Sequence, residues 1–185
     1  MPVVDVEKTV NTIPDDMQAS IFTTVSYADR ADFIASKFGN NAHDAALFER
    51  ELLKTARYMD SECETQMWEM VAVEGGCSNA FFMYPSIDKE YKLSQHNNDG
   101  SQYDIVDNKL FGLIATLACF DEGSYRSEVE SEYANLLDSH WYYLYGNVGS
   151  YMENAKANND VEKQEAATSL LEFVAKHSPV VNKIT

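Results

Sequence analysis

Four histidines, three cysteines and thirty carboxylates are the groups in this sequence that could do chemistry. The histidines, His43, His96, His140 and His177, stand far apart, and none falls into an H-E-x-x-H or His-x-x-x-His arrangement. Their spacing therefore gathers no metal ligands and no imidazole dyad. His140 lies on an apolar helical stripe, where a lone histidine reads as a partly buried packing residue; His96, beside Asn97–Gly100, reads as exposed. Cys63, Cys77 and Cys119 are an odd count without C-x-x-C spacing, which fits reduced thiols rather than a disulfide framework. Cys77 would be a nucleophile only if a histidine and an orienting polar group converged on it. A buried or turn-lining thiol is the simpler reading. Gly75-Gly76 lacks the lysine and helix that a phosphate-binding loop requires, and no G-x-S-x-G elbow occurs. The expectation is a protein with no catalytic residue, no cofactor and no metal.

The carboxylates carry more information. Fourteen lysines and arginines stand against thirty acids, a net charge of −16. Such a surplus repels phosphate backbones and anionic lipid headgroups, so direct nucleic-acid binding and membrane binding are not expected. A local basic patch is the exception that the average would hide. Basic protein surfaces are the natural partners. The stretch from Asp121 to Glu165 holds ten acids and three bases, net −7. Asp121, Glu122, Glu128, Glu130, Glu132 and Asp138 are the candidate partner-binding residues within it. The sharp reading is a DNA mimic; the plain one is a solvated helical face that aids solubility. Residues 128 to 153 as one helix would span roughly 39 Å. Duplex DNA offers about 23 phosphates over that length, whereas the helix offers Glu128, Glu130, Glu132, Asp138 and Glu153. Mimicry would need acids from several elements. Nearby, Trp141-Tyr142-Tyr143-Tyr145 could suggest base stacking, but Trp141 and Tyr145 fall on the core stripe and no basic groove accompanies them.

The elements that must position these groups follow from periodicity. Residues 1–20 read as an N-terminal arm, with Pro14-Asp15-Asp16 as a turn and Ser20 to Val25 as an extended stretch. Ser26 is expected to cap a helix carrying Phe33, Ile34 and Phe38 and ending at Gly39. Asn40 or Asn41 caps the next, where Ala45, Phe48, Leu52, Ala56 and Met59 recur at helical spacing. The period then changes. Four strands are expected at 66–73, 80–84, 91–94 and 101–106, with Asn97-Asn98-Asp99-Gly100 as a hairpin turn. Asp107 caps an apolar helix through Leu110, Leu113, Ile114 and Leu117. A long helix follows, with its stripe from Val129 to Val148 and its end weakened by Gly146 and Gly149. Asn158-Asn159-Asp160 is a polar connection, and a last helix spans Val161 to His177, capped by Asp160.

Helices, strands and again helices predict an α+β fold: an antiparallel four-stranded meander packed with helices from both ends of the chain. A single domain over 1–185 is expected, with 150–185 a C-terminal helical extension. No leader-like segment opens the sequence and no apolar run approaches the roughly 18 residues that span a bilayer, so a cytoplasmic location is expected.

Several stretches together resemble the ArdB/KlcA family of antirestriction proteins, carried by plasmids and other mobile elements. Arg30, Phe33, Phe38 and Gly39 are similar to that family's early R-x-x-F…H-F-G segment. Arg57-Tyr58-Met59-Asp60 is similar to its aromatic-Met-Asp helix end. Trp68-Glu69 and Phe81-Phe82-Met83-Tyr84-Pro85 resemble its W-x-F and G-G-F-Y-M-x-P strands. Gly112-Leu113-Ile114-Ala115-Thr116-Leu117 resembles its G-I-V-A-T-L helix. Order and approximate spacing match over roughly residues 27 to 145. The sequence departs from the pattern in placing Asn79-Ala80 where the family has paired glycines, in a longer tail, and in its greater acidity.

The resemblance implies a non-enzymatic inhibitor of type I restriction–modification systems, acting on the restriction enzyme or an associated factor without a cofactor, so that incoming mobile DNA escapes cleavage. It hands over no catalytic motif, because Trp68, Phe81, Phe82 and Met83 read as packing residues. The alternative function is an acidic regulatory or immunity-type protein for another basic partner. A third possibility, a hydrolase using Cys77 or His140, finds no supporting constellation.

Overall fold

The computed structural model describes residues 9–63, 67–74, 81–94, 103–121 and 146–177. The structure is α+β, and it divides its strands between two three-stranded sheets. β1 (Val10–Asn11), α1 (Asp15–Ile21) and β2 (Phe22–Thr24) open the chain, and a 3₁₀ turn (Tyr27–Asp29) leads into α2 (Arg30–Lys37) and α3 (Ala42–Met59). β3 (Trp68–Val73), β4 (Phe81–Pro85), β5 (Tyr91–Ser94) and β6 (Tyr103–Val106) follow, then α4 (Asn108–Asp121). A helix over 146–157, here α5, and α6 (Val161–His177) complete the described elements.

The expected four-stranded meander is not what forms. β3 pairs antiparallel with β4, and β5 with β6, as two hairpins; β4 and β5 are not neighbours. One sheet has the order β2-β3-β4 and is antiparallel. The other has the order β1-β6-β5 and is mixed, because β1 runs parallel to β6. The reason lies in α4. Its residues from Leu110 to Cys119 are all buried, and it packs against both β4 and β5. A helix apolar on every side needs cover on every side, and it takes the place beside β4 that a fourth strand would have held.

The close seat of α4 on β4 depends on small and polar residues one turn apart. A Cβ at Gly112 would lie 2.2 Å from the Met83 carbonyl oxygen and 2.3 Å from Tyr84 Cα, so only glycine fits. One turn on, the buried Thr116 hydroxyl accepts the Met83 N–H at 3.2 Å and donates to the Gly112 carbonyl at 2.8 Å. One turn back, Asn108 Nδ2 donates to the Pro85 carbonyl at 3.0 Å. The free edge of β4 is thereby closed by side chains rather than by a strand.

The caps are local and sequence-encoded. Asn41 Oδ1 accepts the Asp44 N–H, Asp107 Oδ1 accepts the Leu110 N–H, and Asp160 Oδ1 accepts the Lys163 N–H. Gly39 and Asn40 both take positive φ after α2. Where an N-terminal arm over 1–20 was expected, the segment from Val10 onward is built into the fold: Ile13 and Met17 are fully buried and Asn11 Nδ2 bonds the Ile105 carbonyl at 3.0 Å. The segment 146–157 is helical through both Gly146 and Gly149, and the rest of the expected long helix, over 128–145, lies outside the described residues. β4 is buried along its whole length, with Phe81 edge-on to Phe33 (6.1 Å) and Phe48 (5.7 Å). Burying one such ring contributes about 2 kcal/mol.

Candidate functional site

Of the acids singled out in the sequence, Asp121 is the last residue of α4. Glu122, Glu128, Glu130, Glu132 and Asp138 lie outside the described residues, as do His140, Trp141, Tyr142, Tyr143, Tyr145, Cys77 and His96. Cys63 and Cys119 are buried thiols. His43 is exposed beside the buried Asp44, their closest atoms 3.4 Å apart. Among the described residues no group of three or more His, Cys, Asp or Glu is placed to hold a metal ion. No helix among them is long and apolar enough to cross a membrane.

Among the described residues, three polar clusters join elements distant in the chain. The first joins α1, α5 and α6. The Tyr151 hydroxyl donates to Asp16 Oδ2 at 2.5 Å, and Lys163 stands 3.4 Å from the same carboxylate and 3.7 Å from Asp160. The Tyr151 bond, with Lys163 behind it, holds Asp16 below the usual carboxylate range. Burial, the hydrogen bond to Asp16 and the Asp16 charge push the Tyr151 phenol well up. The second cluster ties the end of α6 to the middle strand of the mixed sheet. The buried His177 Nε2 lies 2.7 Å from Asp104 Oδ2 and Lys176 Nζ donates to the same oxygen at 2.9 Å. Burial works against the Asp104 carboxylate, but these two bonds outweigh it and keep it below the ordinary range.

The third cluster lies where β3 begins and β4 ends. Arg30 Nη1 donates to the Trp68 carbonyl at 2.8 Å, and Nη2 pairs with Glu69. The other Glu69 oxygen accepts the Ser86 hydroxyl at 3.2 Å, and the Ser86 N–H bonds the Met67 carbonyl at 3.0 Å. Tyr84, opposite Glu69 in the β3–β4 register, is pushed up by burial and by the Glu69 charge, with Arg30 opposing. No spacing rule could have joined Arg30 to Glu69, which stand 39 residues apart.

These clusters join elements by hydrogen bonds and ion pairs. Two of them set a carboxylate against a hydroxyl, Asp16 against Tyr151 and Glu69 against Ser86, and in each the carboxylate is also held by a cation, Lys163 or Arg30. The residues that carried the family resemblance divide between two tasks. Phe33, Phe81, Gly112 and Thr116 close the core; Arg30, Glu69 and Asp60 tie loops to strands, Asp60 by accepting the Lys92 and Glu62 N–H groups, both at 2.9 Å.

No protein-family model matches the sequence, and no curated protein matches it. A solved structure does match in fold, that of the KlcA and ArdB proteins, which are described as showing a novel fold and antirestriction activity against type I DNA restriction systems in vivo but not in vitro. The likeness covers 79% of this chain and 94% of that one, with a TM-score of 0.53 and 18% sequence identity. The chain therefore shares the KlcA/ArdB fold over most of its length.

Proposed function

We propose that this chain is a non-enzymatic antirestriction protein that relieves type I restriction–modification and so protects incoming mobile-element DNA. The fold shared with KlcA and ArdB carries the reading. The charge of −16 supports it, because a strongly acidic protein in cytoplasm is suited to a basic partner such as a DNA-handling enzyme or a factor associated with it, and not to DNA itself. Neither catalysis nor a cofactor enters the reading. Asp121, Glu122, Glu128, Glu130, Glu132 and Asp138 are proposed to contribute to partner contact.

The KlcA and ArdB activity is described in vivo but not in vitro, so the test belongs in cells. Unmodified phage are plated on a type I-restricting host with and without the protein. Plating should rise toward that of a non-restricting host, and unchanged restriction with soluble protein present would reject the reading. Replacing Glu128, Glu130 and Glu132 by Gln should weaken the effect; full relief by that triple variant would remove those acids from the contact.

A further inference from the structure

Six large apolar side chains stand exposed among the described residues: Tyr27, Tyr58, Met67, Ile87, Tyr103 and Val161. Three of them adjoin the third cluster, through a contact or along the chain. The Tyr27 ring lies 5.2 Å from the Arg30 guanidinium carbon. Arg30 holds Trp68 and Glu69, Glu69 holds Ser86, and Ser86 is bonded to Met67 and followed in the chain by Ile87. Contacts and chain adjacency thus place Tyr27 (82% exposed), Met67 (62%) and Ile87 (42%) beside one polar centre.

Folding does not ask for apolar residues there. Trp68 and Pro85 already close the core at this end of the hairpin, and Met67 and Ile87 lie just beyond the strands. Apolar patches with a polar rim mark protein contacts. Tyr, Met and Arg are the residue types enriched in such contacts.

The rim decides what kind of partner fits. Asp29, Asp32, Asp88 and Glu90 are exposed within a few residues of Tyr27 and Ile87 along the chain, while Arg30 is paired with Glu69 and Lys89 donates to the Glu62 carbonyl. Phosphate backbones would be repelled, and a second copy would bring the same acids against these. We propose that this end of the β3–β4 hairpin is a docking surface for a protein that presents an apolar side chain flanked by lysine or arginine. The inference deepens the antirestriction reading and rests on it only for the partner's identity.

The test compares two triple variants of the full chain. Tyr27→Ser/Met67→Ser/Ile87→Ser removes the patch, and Tyr58→Ser/Tyr103→Ser/Val161→Ser removes equally exposed apolar groups elsewhere. Circular dichroism confirms that both fold. If the unaltered chain relieves restriction, the patch variant should lose about tenfold or more of that relief, as loss of a central contact does, while the control keeps it. Equal relief by both variants would overturn the proposal. If the unaltered chain gives no relief, the antirestriction reading fails by itself, and photocrosslinkers placed at 27, 67 and 87 in cells decide the docking surface. Adducts from those positions and not from 58, 103 or 161, on a partner peptide with Lys or Arg beside the linked residue, support it. No adducts, adducts from both sets, or a partner peptide without those bases overturn it.

Discussion

The free edge of β4 and the open end of the β3–β4 hairpin use similar residues in opposite ways. Along the edge, Asn108, Gly112 and Thr116 spend their small size and hydrogen-bonding groups on the backbone of β4, a strand buried along its whole length. At the open end, Arg30, Glu69 and Ser86 also bond one another, but the apolar residues beside them face solvent. A polar group under a helix answers the packing demand of the fold. Exposed Tyr27, Met67 and Ile87 beside a polar centre that ties a loop to a hairpin answer no such demand. The difference separates the residues that build this fold from those free to meet something else.

The largest effect that would sharpen or break this contrast belongs to Gly112. Gly112→Val drives side-chain atoms into the Met83 carbonyl and Tyr84 Cα, and overpacking of this kind should cost about 3 kcal/mol or more. Urea unfolding measures it, and an unchanged midpoint would mean that α4 does not sit on β4 as described. Thr116→Val keeps the shape but leaves the buried Met83 N–H without its acceptor. A loss of about 2 kcal/mol is expected, and a neutral result would show that the hydroxyl does not close the strand edge.

A smaller effect, with a defined pH signature, attaches to Asp104. Its folded pKa is held below the ordinary carboxylate value by Lys176 and His177, against the cost of burial. The sign follows from linkage: the stability is fully present above the unfolded pKa of about 3.9 and is lost as pH falls through the lower folded value. Asp104→Asn should be less stable than the parent near neutrality, and the gap should close in acid. A gap that widened in acid would contradict the pairing. The smallest change in stability is expected for the Tyr27, Met67 and Ile87 serine variants, within about 0.5 kcal/mol of the parent. A large loss there would return those residues to the scaffold.

Much of the fold was legible in the sequence because its signals are local. Asn41, Asp107 and Asp160 cap the helices expected of them, the last helix has the bounds read from its pattern, and all four expected strands form. Pairing between hairpins was not legible. Alternation along a strand says which face is buried, not which strand lies beside it, and here a helix intervenes. Pro14-Asp15-Asp16 was read as a turn, although Pro14 and the two acids of the following turn equally suit a helix start, and α1 begins there. The polar clusters were hidden for a related reason: Asp16 meets Tyr151 across 135 residues and His177 meets Asp104 across 73. Such meetings are made by tertiary packing and leave no periodicity behind.

Antirestriction by this protein is read out in the ratio of unmodified to modified phage plating on a type I-restricting host. With this protein expressed, the ratio should climb toward one. A ratio equal to that of the host without the protein, with the chain folded and soluble in the same cells, would contradict the account.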